Sequence, residues 1–432
     1  MNDQLKHKKA TYHLYTFLVS KIIGSLGSHV YAFGISMYIL SLTGSSLSFA
    51  TNILLSYLPR IIISPFAGLL SDRFPRKWLV LGGQAGVILS VSILLIYTYT
   101  FELSLIAIYC VTIFNSIFST FSSVAFTSSI ANLVNEERLQ KAMSFNQLSM
   151  SISGIGGPIV GGMLFGFVSM EIFLLTFIIA AIVTLTLEST MNFKLYQKET
   201  STPATNSTEK ESMLESLKAG FTYVKDKRVI RSILWTALWL NLFFTSVNIG
   251  FGFILLTILK LDPRLIGITE AGGAIGILIT SIYFASRSNV KYPLVVVKRS
   301  TLMTSFLVIS LAFPLFFDFS STVNFIYYFI VMVLFGGFGV ITNTPIGVML
   351  QVSIDEEYRG RVFGIVEMMA MSMMPVGTLL FGVLYDVLPA QWILIVSGCI
   401  LIGIVFTLLR PSVLKMAHPE LEEKTLEPVL EK

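Results

Sequence analysis

Four ionisable residues lie inside long apolar stretches of this sequence, where a charge is costly and is therefore a candidate for function: His29, Arg60, Glu270 and Glu367. A carboxylate or an imidazole in such a place can bind a proton from one side of a membrane and release it to the other, which is the chemistry of proton coupling. No basic residue in its own stretch can easily neutralise Glu270, so we predict a coupling role for this acid. For Arg60 and Glu367, an ion pair between two helices explains the sequence equally well.

The composition of the chain explains why these charges stand out. Of its 432 residues, 54% are hydrophobic and 13% are charged, and the mean hydropathy is +0.77. A soluble domain carries about twice that fraction of charge, and apolar runs of about 20 residues are long enough to cross a bilayer. The sequence therefore predicts an all-α membrane protein. The twelve predicted transmembrane helices lie at 14–40, 47–70, 78–99, 104–126, 142–168, 170–190, 229–259, 264–286, 300–319, 322–350, 362–388 and 390–410.

Basic residues cluster on one side of these predicted spans. They precede the first span and follow every second one, whereas the opposite loops hold only Lys260 and Arg264. Because cytoplasmic loops are enriched in Lys and Arg, we expect a multi-pass protein of the cell membrane with both termini in the cytoplasm. The net charge of +5 then reflects topology, and we expect the lipid bilayer rather than nucleic acid as the partner.

A polar segment separates six predicted spans from the other six. Within it, Leu214, Leu217, Phe221 and Val224 recur at helical spacing among charged residues, which is typical of an amphipathic helix at a membrane surface. The predicted parts are a six-helix bundle at 1–190, this cytoplasmic linker at 191–228, a second six-helix bundle at 229–410 and a cytoplasmic tail at 411–432.

The two halves also resemble each other in sequence. Residues 135–164 align without gaps with residues 355–384, and each segment begins with an acidic turn followed by a basic pair. Two similar six-helix halves are the arrangement that alternating-access transporters use around a site near the middle of the bilayer. We therefore predict two pseudo-symmetric six-helix bundles.

Residues 68–77, GLLSDRFPRK, interrupt the apolar pattern between the second and third predicted spans. They resemble the loop motif G-x-L-x-D-R-x-G-R-K of the major facilitator superfamily, with Pro75 in place of the second glycine. The resemblance implies a loop that latches the cytoplasmic gate shut in the outward-open state. The residues that would form this gate motif are Gly68, Asp72, Arg73, Arg76 and Lys77. A simple basic anchor would explain the bases, but not Gly68 or Asp72.

The fifth predicted span resembles the antiporter signature G-(x)8-G-(x)3-G-P-x-x-G-G of the same superfamily. Its core is matched by Gly157, Pro158, Gly161 and Gly162. Ser144 and Ser153 stand at the two earlier glycine positions and are also small, so close helix packing is preserved. In the family this pattern marks exporters, usually proton-coupled drug antiporters; the alternative is helix packing alone.

The resemblance covers residues 14–410, and segments such as DRFPRK and EEYRGRVFGI are similar to the branch of macrolide efflux proteins and siderophore exporters. It implies a monomeric secondary active transporter that exports an amphipathic organic compound, drug-like or macrolide-like, by proton antiport. The fourth predicted span lacks the Arg that many proton-coupled exporters carry there, so the family's proton relay does not transfer. The alternatives are export of a specific metabolite such as a siderophore, flipping of a lysophospholipid, or a membrane sensor or assembly partner that has lost transport.

Polar side chains on the expected cavity helices are candidates for lining a small-molecule site: Asn115, Asn241, Asn248 and Asn343. Both cysteines, Cys110 and Cys399, fall inside predicted spans, so neither a metal site nor a disulfide framework is expected. The sequence contains no GxxxxGK[ST] loop, no H-E-x-x-H and no G-x-S-x-G. We therefore expect no cofactor and no enzymatic activity.

Overall fold

The computed structural model describes residues 3–101, 103–134, 136–193, 195–196, 222–285, 290–354 and 356–417. These ranges are almost entirely helical and contain no strand. Within them, eleven helices are long and apolar enough to cross a membrane, and the helix at 356–387 contributes a further apolar stretch, Ser372–Val387. The predicted all-α membrane fold is confirmed, and each of the twelve predicted spans has a helical counterpart.

The helices of the first half follow one another through short polar turns. The Ser45 and Ser104 side chains each accept a hydrogen bond of 3.2 Å from a backbone N–H three residues later, which caps the helices that follow them. The helices are α1 (Asp3–Thr43), α2 (Ser46–Arg73), α3 (Arg76–Thr100), α4 (Leu105–Leu133), α5 (Glu136–Phe167) and α6 (Met170–Ser189).

The second half repeats this order, with proline or serine at several helix starts. The first helix of this half continues into a π-helical turn, Ile254–Ile258, and the third is followed by a short 3₁₀ helix, Phe313–Phe316. The helices are α7 (Arg228–Phe253), α8 (Pro263–Ala285), α9 (Pro293–Ser310), α10 (Ser321–Ser353), α11 (Glu356–Val387), α12 (Ala390–Leu408) and the short α13 (Pro411–Ala417).

Helix boundaries in the two halves share the offset of the sequence repeat. Helix α5 begins at Glu136 and α11 at Glu356, and the next helices begin at Met170 and Ala390. Both pairs are 220 residues apart, as are the segments 135–164 and 355–384. The repeat is therefore present in the helix boundaries as well as in the sequence.

Contacts divide the chain into two compact units, each with its own apolar core. One unit comprises Met1–Thr205 with Leu255–Ala271, and the other comprises Asn206–Ile254 with Gly272–Lys432. The first core joins α1, α3, α4 and α6; the second joins α7, α9, α10, α11 and α12. The start of α8 thus packs with the first unit.

Several helices begin earlier than their predicted spans, most of all α1, which begins at Asp3 rather than at residue 14. Helix α9 begins at Pro293 rather than at residue 300, because proline is pre-organised for the first helical turn. Its Lys298 is accommodated with the ammonium 5.3 Å from the centre of the Phe406 ring. Helices α5 and α11 begin at glutamates, which favour helix N-termini, rather than at residues 142 and 362. Most of the predicted amphipathic helix lies outside the described residues; of its expected positions, 222–226 are helical.

Candidate functional site

The turn between α2 and α3 is tied to two other helices of the first unit by its bases. Arg76 donates hydrogen bonds from Nε to the Ser71 carbonyl at 3.2 Å and from a terminal nitrogen to the Ser128 carbonyl at 2.6 Å. Lys77 Nζ donates to the carbonyls of Ser189 at 2.6 Å and Met191 at 3.3 Å. The last carbonyls of a helix lack intrahelical partners and carry partial negative charge. Lys77 therefore caps the end of α6, and Arg76 ties the turn to the last two turns of α4.

The remaining residues of this gate motif give less information. A Cβ atom added at Gly68 would meet no described atom within 4 Å. The side chains of Asp72 and Arg73 lie outside the described residues, so the latch role of this motif stays a prediction.

Two faces of α5 pack closely through the antiporter-type motif. On one face, a Cβ atom at Gly157 would collide with His29 Cβ, and one at Gly161 would lie 3.1 Å from the Val30 carbonyl oxygen. These two glycines therefore allow α5 to lie against the backbone of α1. Pro158 lies within α5, which continues through it from Glu136 to Phe167.

The other face of α5 packs against the start of α8. A Cβ atom at Gly162 would lie 2.6 Å from the Pro263 carbonyl oxygen, and one at Gly267 would collide with the Pro158 carbonyl. One turn further along α5, the Arg264 guanidinium lies 3.9 Å from the centre of the Phe167 ring and 3.3 Å from Asp262. Because glycine leaves the backbone carbonyls accessible, these two helices come into direct main-chain contact.

Of the four ionisable candidates, Glu270 lies beside this contact. It follows Gly267 by three residues on α8, so the two lie on neighbouring positions of one helix face. The Glu270 side chain is half-buried, and among the described residues it forms no ion pair. The coupling role of Glu270 stays a prediction.

Two of the other three ionisable candidates, His29 and Arg60, have exposed side chains. His29 Nδ1 lies 2.8 Å from the Ser25 carbonyl oxygen of the preceding turn, and its ring is exposed. Arg60 is exposed on α2. The side chain of Glu367 lies outside the described residues, so the pairing considered for Arg60 stays a prediction.

Two of the four predicted cavity residues line the same cavity, and the other two lie elsewhere. Asn241 on α7 and Asn343 on α10 line one cavity inside the second unit. Asn115 instead lies beside the Tyr31 hydroxyl inside the first unit. Asn248 is exposed on α7 and is not part of the cavity lining.

A further acid, Glu188, is enclosed by the first unit. Its place near the end of α6 would allow a long side chain to reach the membrane surface, but the Glu188 side chain is only 5% exposed. Lys21 interacts electrostatically with Glu188 and lies 4.5 Å from the centre of the Phe126 ring. The position of Glu188 near the end of α6 indicates depth along the helix, but not that α1 covers it.

Comparisons with known proteins agree with this fold. The family model of the Major Facilitator Superfamily matches residues 17–377 and 254–431. The uncharacterized MFS-type transporter YfiS of Bacillus subtilis (strain 168) is 26% identical over 397 residues, covering 90% of this chain and 91% of that protein. Macrolide efflux protein A of Streptococcus pyogenes is 24% identical over 393 residues, covering 90% of this chain and 93% of that protein.

Solved structures support the same architecture. A bacterial homologue of the iron transporter ferroportin in an inward-facing state has a TM-score of 0.67 at 15% identity, covering 92% of this chain and 98% of that one. The nucleoside transporter NupG has a TM-score of 0.65 at 14% identity, with the same two coverages. At these identities the likeness shows the fold alone. Together with the family match, it establishes that this chain belongs to the major facilitator superfamily and is a membrane transporter, not an enzyme.

Proposed function

We propose that this transporter exports an amphipathic organic compound, drug-like or macrolide-like, across the cell membrane by proton antiport with alternating access. Macrolide efflux protein A of Streptococcus pyogenes aligns with 90% of this chain, which favours efflux within the superfamily. We place both termini and the α2–α3 turn on the cytoplasmic side of the membrane, consistent with the distribution of Lys and Arg among the loops.

The observation that carries the proposal is the packing of α5. Its motif glycines lie against α1 on one face and against the start of α8 on the other. A helix held on two faces by main-chain contact cannot accept a bulky residue on either face without moving a neighbour. This supports a role for the antiporter-type motif beyond filling space in the bilayer.

Proton coupling is assigned to Glu270. The carboxylate is half-buried, has no ion-pair partner among the described residues, and lies one turn from the contact between Gly267 and the Pro158 carbonyl. Gaining or losing a proton changes the charge of this group, and a change of charge beside a tight helix contact can bias the position of that contact. The α2–α3 turn supplies the gate, with Arg76 and Lys77 anchoring it to α4 and α6.

The first experiment is an accumulation assay in a macrolide-susceptible bacterial host. Cells that express the full chain should accumulate several-fold less tritiated erythromycin, or another amphipathic drug of a panel, than cells with an empty vector. Asp72→Asn should abolish this difference at equal expression, because the gate motif would lose its acid. Asp318→Asn, which changes an exposed acid in the loop before α10, is the matched control and should behave as the wild type.

Two results would contradict the proposal. If no compound of the panel accumulates less in expressing cells, drug export is wrong. If a deletion strain of the source organism instead fails to release an iron chelator during iron starvation, the protein exports a specific metabolite.

A further inference from the structure

The cavity inside the second unit has a volume of about 140 Å³ and lies between α7, α9, α10 and the residue that follows α12, Leu409. An apolar cavity of about 150 Å³ engineered in another protein holds benzene, so this space accepts one six-membered ring. Of the residues that line the cavity, Asn241 and Asn343 are exposed.

The cavity wall is polar but uncharged among the described residues. Its hydrogen-bonding side chains are Thr236, Asn241, Thr301, Thr304, Thr342 and Asn343. Removing an ion from water is far more costly than removing a neutral polar group, unless an opposite charge compensates. The wall supplies no such charge, so a neutral occupant is favoured.

Several of these side chains retain hydrogen-bonding capacity. The Thr301 hydroxyl is buried, with the side chain 1% exposed, and has no partner among the described residues. Asn241 donates from Nδ2 to the Ala237 carbonyl at 2.8 Å, which leaves its carbonyl oxygen as an acceptor. Thr304 donates to the Ser300 carbonyl at 3.0 Å, and its oxygen can still accept. A wall that offers both donors and acceptors suits hydroxyl groups, which do both.

Two aromatic rings complete the wall. Phe244 on α7 and Phe335 on α10 lie with their ring centroids 5.5 Å apart and their planes at 71°. Their faces and edges suit the C–H surface of a saturated ring, while the threonines and asparagines take its polar substituents.

We propose that this cavity binds an uncharged, hydroxyl-bearing six-membered ring, such as a sugar-like group carried by the exported compound. This inference depends on the proposed function in one respect, namely that the ring is part of the exported compound. Thr301 and Asn241 bind the hydroxyl groups, and Phe244 and Phe335 contact the ring. The rest of the compound extends past the two exposed asparagines.

The test is equilibrium dialysis of the full chain in lipid nanodiscs with tritiated octyl β-D-glucoside below its micelle-forming concentration. Empty nanodiscs give the partition into lipid, and octylcyclohexane, with the same ring size and tail but no hydroxyl, is the matched probe. Thr301→Val removes the hydroxyl while keeping the shape, whereas Thr301→Ser retains the hydroxyl. Ala237→Leu fills the cavity, and Thr407→Val changes an exposed threonine of α12 away from it.

We expect saturable binding of one glucoside per protein and no saturable binding of octylcyclohexane. Thr301→Val should weaken the affinity about tenfold, as for the loss of one hydrogen bond to a buried group, and Ala237→Leu should abolish saturable binding. Thr301→Ser and Thr407→Val should stay within about twofold of the wild type, since a hydrogen bond is retained or untouched. Variants are compared only where they elute as monodisperse protein.

The proposal is overturned if the wild type does not bind the glucoside saturably, if octylcyclohexane binds equally well, or if Thr301→Val and Ala237→Leu leave the affinity unchanged. Failure of the proposed function is distinguishable from this. Export of a drug by cells without saturable glucoside binding refutes the cavity assignment alone. Saturable binding by a protein that exports no compound refutes the exporter assignment alone.

Discussion

Corresponding helices enclose different interiors in the two halves of this transporter. Among α1, α3, α4 and α6, the rings of Phe17 and Phe126 stack with centroids 5.5 Å apart, and Lys21 and Glu188 lie beside them. Among α7, α9, α10 and the end of α12, the equivalent region is the cavity lined by neutral polar side chains. Ile346, which lines the cavity, stands 220 residues after Phe126.

This difference separates the roles of the two interiors. The repeat keeps the helix ends in register, but a stacked aromatic pair with a charged pair fills the first interior, whereas smaller side chains leave space in the second. A filled interior with buried charges is sensitive to the loss of any one member. An interior with free space tolerates substitution and can admit a ligand. Three substitutions test this contrast, beginning with the one expected to have the largest effect.

Of the three substitutions, Gly157→Leu should destabilise the first half most, because the leucine side chain would occupy the position of His29 on α1. We expect destabilisation of about 3 kcal/mol and loss of export, while the protein still inserts into the membrane. The measurements are drug accumulation in cells and thermal unfolding of the purified protein in detergent. Gly154→Leu is the matched control, since a Cβ there meets nothing within 4 Å. Equal effects of the two substitutions would mean that the motif contributes only ordinary helix packing.

Lys21→Met should have an intermediate effect, because it removes the charge that compensates the buried Glu188 carboxylate. We expect destabilisation of about 2 kcal/mol, less than for a fully buried pair because Lys21 is only half-buried. The double variant Lys21→Met/Glu188→Leu should recover most of the lost unfolding temperature. Asn241→Leu, in the second half, should change stability little. A double variant that is less stable than Lys21→Met would show that the two charges do not compensate each other.

Lys77→Met should have the smallest effect of the three. The ammonium caps the end of α6 through the carbonyls of Ser189 and Met191, and the loss of such contacts costs about 1 kcal/mol. In the second half, Lys298 lies over the Phe406 ring and has no carbonyl partner among the described residues, so Lys298→Met should lower the unfolding temperature less than Lys77→Met does. The reverse order would mean that the basic turn is not held by these helix ends.

Hydropathy and spacing predicted the number and order of the membrane helices, because those depend on local composition. Of the four asparagines singled out as polar side chains in apolar helices, Asn241 and Asn343 line the cavity of the second unit, and Asn115 and Asn248 do not. Which faces meet depends on packing between distant segments, which a single sequence does not contain. The burial of Glu188 and the association of the start of α8 with the first unit are features of that kind.

Transport by proteoliposomes with an imposed pH gradient tests proton-driven export most directly. Liposomes containing the purified chain should move the drug identified in the accumulation assay against its gradient when a proton gradient is applied, and should not do so without one. Glu270→Gln should lose this gradient-driven transport, because the amide cannot exchange a proton. Glu171→Gln, which changes an acid in the first turn of α6, should retain it. Full gradient-driven transport by Glu270→Gln would contradict the account and make His29 the next coupling candidate.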